Sequence, residues 1–180
     1  MRVGLTAITA LLAVLVLSAT TVHGASSGDA ARSRAVAWGI EQAGTRERGT
    51  TNCSTRIDRW ARDMGLRVPP CRPWCGAFVH QAFLRAGVRL SARLIDPHRS
   101  YGDAVAGRRG LRRIPRSQVR PGDLLFFAFR PRLKASHLSI VTSHPRNGQV
   151  STVEGNVSHV VRRARRGLRF AVLAARVDVR

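Results

Sequence analysis

Three features in one order equip this chain for thiol chemistry on an amide: a cysteine that opens an apolar helix, a histidine that heads a strand, and an acid and an amide one hairpin further on. The cysteine is Cys75, in the run Pro73-Trp74-Cys75-Gly76-Ala77-Phe78-Val79. A thiol attacks a carbonyl as its thiolate, so it needs a base within hydrogen-bond reach and a third group that holds the base. Six histidines compete for that role. His23 lies in the N-terminal apolar segment, His144 in a turn, and His98 and His159 in loop or strand-edge settings. His80 follows Cys75 on the same helix, about 140° away around its axis, and points elsewhere. His137 remains. It opens a strand beside the small residues Ala135 and Ser136, with Leu138 and Ile140 on the opposite face.

The hairpin turn Pro145-Arg146-Asn147-Gly148 sets what faces His137. A tight turn there brings residues near Asn156 opposite or diagonal to the histidine, so the hairpin argument favours Asn156 as the group that orients the ring. Glu154 shares that face one step further along, and both stay candidates.

The elements that must position these groups follow from periodicity. Ala30 to Ala43 is expected to be helical, with Val36, Ile40 and Ala43 on one stripe and Gly44 as the stop. Asn52 or Ser54 can cap a second helix, where Ile57, Trp60, Ala61 and Met64 recur at i, i+3, i+4 and i+7. Pro69-Pro70 forces an extended link, Pro73 suits the first turn of a third helix, and that helix is expected to run to Gly87. On it Cys75, Phe78, Val79, Ala82 and Ala86 share one face. Arg89 to Arg120 reads mostly as basic surface loop, with a short helix near Tyr101 to Ala106. Strands are expected over Leu124 to Phe129, buried on both faces, then His137 to Thr142, Gln149 to Glu154, Val160-Val161 and Phe170 to Val177. Helices first and an antiparallel meander afterwards make an α+β domain with the Cys75 helix packed on the sheet. Trp38 and Trp60 read as core, whereas Trp74, beside the nucleophile, is a candidate wall of the substrate cleft.

Residues 1 to 24 read as a secretory signal peptide: Arg2, an apolar run from Leu5 to Val22, and the small-x-small site Val22-His23-Gly24. An uncleaved anchor is the rival, because the run approaches the roughly 20 residues a span needs. Residues 25 to 180 then form one domain, with no room for a second of similar size. Export allows oxidation, and three cysteines leave an odd one. A Cys53 to Cys71 bridge would contribute roughly 3 kcal/mol and leave Cys75 free. A bridge through Cys75, or a three-cysteine zinc site completed by histidine, stand beside it.

Several of these segments resemble the CHAP family, papain-like cysteine- and histidine-dependent amidohydrolases and peptidases that cut bacterial cell-wall peptides. The resemblance runs through Asn52-Cys53-Ser54-Thr55-Arg56-Ile57-Asp58, Pro73 to Val79, Pro121-Gly122-Asp123, Ser136-His137-Leu138-Ser139-Ile140-Val141 and Val153-Glu154-Gly155-Asn156, which together cover most of the chain after the leader. It implies a papain-like fold, with Cys75 as nucleophile, His137 as base and then acid, and Glu154 ahead of Asn156 as the orienting group. The expected activity is hydrolysis of an amide in peptidoglycan by an exported protein of the cell envelope, and the alternative is a cationic wall- or membrane-binding protein on the same fold with little catalysis. Many members bind calcium through an acidic loop ahead of the cysteine. Gly65 to Arg72 holds no acid here, so no metal and no cofactor are expected. Papain carries a glutamine as oxyanion donor six residues before its cysteine, where this chain has Pro69. The Cys75 N–H can supply one donor, and the second is unassigned.

Charge bounds the partners. Lys plus Arg is 31 against 10 acids, a formal net charge of +21, and loss of Arg2 with the leader lowers it to +20. Such a field holds a protein to polyanions, and the pairs Arg108-Arg109, Arg112-Arg113, Arg162-Arg163 and Arg165-Arg166 suit anionic wall polymers or lipid headgroups. No nucleic-acid recognition motif is present, and a monomer is expected.

Overall fold

A computed structural model of the protein describes residues 26–66 and 71–179. The leader over residues 1 to 24 and the Pro69-Pro70 link lie outside the described residues. Four α-helices come first, then six strands form one antiparallel sheet, so the α+β class expected from the element order is the observed one.

The first helix, α1 (Ser27–Glu41), starts earlier than its apolar stripe suggests because Ser26 accepts a hydrogen bond from the Asp29 N–H. Helix α2 (Thr55–Asp63) is capped by Ser54, whose hydroxyl accepts from the Ile57 N–H. Helix α3 (Cys75–Arg85) has Trp74 as its N-cap, which leaves Pro73 just outside the helix rather than in its first turn. Gly87, at φ +86, adopts the left-handed conformation that ends it.

The stretch read as loop between Arg89 and Arg120 is more structured than its composition suggests. Asp96 caps α4 (Pro97–Val105) by accepting from the His98 and Arg99 N–H groups, and Pro97 sits where its missing donor does no harm. Strand β1 (Leu111–Ile114) follows. Its burial runs in, out, out, in, so the period-two alternation that marks a half-buried strand is absent.

Strands β2 (Leu124–Phe127), β3 (His137–Val141), β4 (Gln149–Val157) and β5 (Val160–Gly167) form a meander, and β6 (Leu173–Val177) returns between β1 and β2. The sheet order is β1-β6-β2-β3-β4-β5. All four residues of β2 are buried, because helices cover one face and the turns around residues 116–118 and 168–170 cover the other. Leu138, Ile140 and Val153 meet α3 on the first face. Leu125, Phe127, Val141 and Val150 belong to the second.

Trp38, Trp60, Trp74 and Phe78 lock the helices together, with ring centroids 5.6 to 6.0 Å apart. Fully burying a side chain such as Phe78 contributes about 1.5–3 kcal/mol. Helix α3 lies close against β4 because Gly155 has no side chain: a Cβ there would stand 2.5 Å from the Phe78 Cβ and 2.9 Å from Trp74 Cζ3. Among the described residues no helix is long and apolar enough to cross a membrane.

Candidate active site

Cys75 is the first residue of α3, so its backbone N–H is one of the donors that no helical carbonyl takes up. The positive end of the helix dipole faces it. Gly76 lets the neighbouring chain come in, since a Cβ there would fall 1.8 Å from the Leu94 carbonyl oxygen. The helix start is therefore wedged between β4 and the 3-10 turn Ala92–Ile95.

Cys53 and Cys71 form a disulfide, which leaves Cys75 as the free, buried thiol. That pairing excludes both a bridge through Cys75 and a three-cysteine zinc site.

His137 opens β3, is hydrogen-bonded to Glu154, and lies close enough to Cys75 for the sulfur to act on its protonation. The Glu154 contact runs from Nε2 to Oε2 at 2.8 Å. An ionised carboxylate can only accept, so Nε2–H donates and Nδ1 is the nitrogen left for the thiol. Burial pulls the imidazole pKa down, but the hydrogen bonds and charges of Cys75 and Glu154 outweigh it and raise it to about 9.

Glu154 is fully buried. Burial alone would favour its neutral form, yet Arg166, His137 and Thr152 together lower its pKa to about 2. Arg166 binds it with two prongs, Nε to Oε1 at 2.8 Å and Nη2 to Oε2 at 2.7 Å, and the Thr152 hydroxyl donates to Oε1. The guanidinium also lies over the rings of Phe127 and Phe129, 5.6 and 5.9 Å from their centroids. Phe129 in turn packs 5.8 Å from the His137 ring.

Asn156 is not the orienting group. The pairs Ile140↔Val153 and Val141↔Thr152, continued regularly, would set it opposite His137. The β4–β5 register shifts after Glu154, however, and Asn156 takes a left-handed φ of 62°. Its side chain turns away and donates to Asn52 Oδ1 at 3.1 Å, tying the end of β4 to the residue before the disulfide.

Trp74 is not a cleft wall either. Only 1% exposed, its indole stacks in the aromatic core and its N–H donates to Glu47 Oε2 at 3.0 Å. Glu47 is itself buried and pairs with His159. This carboxylate, unmarked in its polar loop, fixes the residue directly before Cys75.

Among the other histidines, His98 accepts from the Lys134 N–H. His80 is buried in α3, where burial first and the Arg89 charge second push its pKa down.

Sequence reading missed Arg166, placing it with the exposed arginines. The register sets Arg162, not Arg166, directly opposite Glu154. The one available signal was alternation in β5, where Arg162, Ala164 and Arg166 share a face and Ala164 is small enough to be passed over. The arrangement as a whole couples a thiol at a helix N-terminus to an imidazole held by a buried carboxylate, itself held by a guanidinium. Such a chain can generate a nucleophile and carry a proton to a leaving group.

The chain matches no family profile, no curated protein and no solved structure.

Proposed function

We propose that the protein is an exported cysteine hydrolase of papain-like, CHAP type, which cleaves an amide bond in the peptides of bacterial cell wall. The observation that carries this reading is His137, held between the free thiol of Cys75 and the buried carboxylate of Glu154. In the proposed reaction the thiol proton passes to His137 Nδ1, and the sulfur adds to the carbonyl carbon. The developing oxyanion takes the Cys75 N–H as one donor. His137 then protonates the leaving amine, which departs and leaves a thioester on Cys75. Water, deprotonated by the same imidazole, hydrolyses the thioester and regenerates the thiol. A pKa of about 9 suits the acid half of this cycle, because the ring keeps the proton it has taken from the thiol until the leaving amine accepts it.

Peptidoglycan as substrate rests on the motif resemblance and on charge. A formal +21 favours residence on anionic wall polymers or lipid headgroups in the envelope. The test uses purified sacculi, incubated with the wild type and with Cys75→Ser. New amino termini should accumulate with the wild type and fall by on the order of 10²-fold or more with the variant. Equal release by both proteins, or none by either, refutes the enzyme reading. Mass spectrometry of the fragments identifies the amide.

A further inference from the structure

On the sheet face remote from the helices, a pocket of about 670 Å³ opens between the end of β2, the β3–β4 hairpin turn and the turn that follows β5. Cys75 takes no part in it. Phe127, Phe129 and Phe170 line it together with Arg165, Arg166 and Arg169, and no aspartate or glutamate does. We infer that this pocket binds a single anionic amphiphile, an apolar chain or ring that carries a phosphate or carboxylate.

The volume lies within the roughly 300–1,000 Å³ of small-molecule sites. Its aromatic lining is costly to leave in water: Phe129 is 60% and Phe170 62% exposed. Large exposed rings gathered around one concavity mark a binding surface rather than scattered surface residues. The lining is also held in place without a ligand. Phe127 and Phe129 stack at 5.5 Å with their planes 6° apart. Arg116 Nη1 donates to the carbonyls of Leu168, Arg169 and Ala171 at 3.3, 3.4 and 2.8 Å, which clamps the turn that carries Phe170. The Leu168 N–H donates to the Gly148 carbonyl at 2.8 Å and ties that turn to the hairpin.

The cations divide by function. Arg166 is already neutralised by Glu154. Arg169 lies with Cζ 4.7 Å from the Phe170 centroid, so one residue pair offers a ring and a guanidinium side by side. Guanidiniums at the rim favour phosphate or carboxylate, and the rings favour apolar carbon. A bare anion leaves the rings wet, and a neutral apolar molecule desolvates the guanidiniums without return. Only a ligand with both parts uses the whole site.

The pocket adjoins the candidate active site through Phe129 and Arg166, but the inference does not need catalysis, and Cys75→Ser should bind as the wild type does. The test is calorimetric titration with octyl phosphate below its micelle concentration, beside 1-octanol and inorganic phosphate. Octyl phosphate should bind one to one, and the other two probes at least about tenfold more weakly. Phe129→Ser/Phe170→Ser and Arg165→Gln/Arg169→Gln, all at exposed positions, should each weaken octyl phosphate by about tenfold while circular dichroism stays unchanged. Phosphate binding as tightly as octyl phosphate would reduce the site to the general positive field, and octanol doing so would reduce it to an apolar groove. Indifference to either pair of substitutions, or binding to anionic vesicles without binding to dispersed octyl phosphate, overturns the inference.

Discussion

At the scale of the residue, the site is a relay of charges whose members hold one another's protonation states. His137 and Glu154 are shifted in opposite directions, the histidine upward by Cys75 and then Glu154, the glutamate downward by Arg166 and then His137, which fixes the pH range of the stability they contribute. The histidine is raised from 6.5 to about 9, so its contribution is complete below 6.5 and is lost as pH rises through 9. The glutamate is lowered from 4.5 to about 2, so its contribution is complete above 4.5 and is lost as pH falls through 2. Both are whole between 4.5 and 6.5. Thermal unfolding should therefore show stability declining from 6.5 to 9, with a shallower decline in His137→Gln. A decline of the same slope in the variant would assign it to other groups. Arg166 makes a sharper case. Removing one partner of a buried pair costs about 3–5 kcal/mol because the other charge is left uncompensated. Arg166→Met should lose that much by denaturant unfolding, whereas Arg166→Met/Glu154→Gln, with no orphaned charge, should recover a large part of it. Simple additivity of the two single substitutions would show that the guanidinium and carboxylate do not act as a unit.

At the scale of the element, the site depends on how closely α3 approaches the sheet, and one glycine sets that approach. Gly155→Ala would bring a methyl to 2.5 Å from the Phe78 Cβ, on backbone-proximal atoms that cannot swing aside. The helix must move off β4, and Cys75 moves with it while His137 stays on β3. The expected cost is about 1–3 kcal/mol, with a fall in kcat that exceeds the loss of folded protein. Retention of full kcat in the folded fraction would show that the helix position is not what aligns the thiol. Elements also explain what was legible in the sequence. Helix α2 was legible because its apolar period and Ser54 cap agree, and the Cys75 helix because its apolar face runs on to the stop at Gly87. Strand β1 was hidden by Arg112 and Arg113 in its middle, and of α4 only the second half was read, because a basic composition masks the Asp96-Pro97 start. The hairpin register was read correctly as far as Val153, and only the irregularity after Glu154 turns the orienting role from the expected Asn156 to Glu154. The irregularity does leave a mark, Gly155 and then a left-handed Asn156 inside a strand, but a fainter one than period and turn chemistry.

At the scale of the whole molecule, charge is distributed by what the few acids are needed for. Asp29, Asp96, Asp103, Asp123, Glu154 and Asp178 each hold at least one arginine, and Asp103 alone is approached by Arg93, Arg108 and Arg109. With few acids in all, and Asp103, Asp123 and Glu154 buried, the positive excess falls on the surface. Composition therefore foretold the field correctly but not which arginines make it: Arg166 and Arg176 are structural, whereas Arg162, Arg163 and Arg165 on β5 are exposed. Exposed charges are screened over about 10 Å at 0.1 M salt and about 3 Å at 1 M. Sedimentation of the protein with an anionic polymer such as polyglutamate should thus be strong at low salt and nearly abolished at 1 M, the concentration at which screening reaches contact distance. Arg162→Gln/Arg163→Gln/Arg165→Gln should lower the low-salt binding by about tenfold and flatten its salt dependence, with the unfolding midpoint unchanged because none of the three holds a carboxylate in the fold. Binding that survives 1 M salt, or that ignores the triple substitution, would move the source of retention from the β5 surface to specific contacts elsewhere.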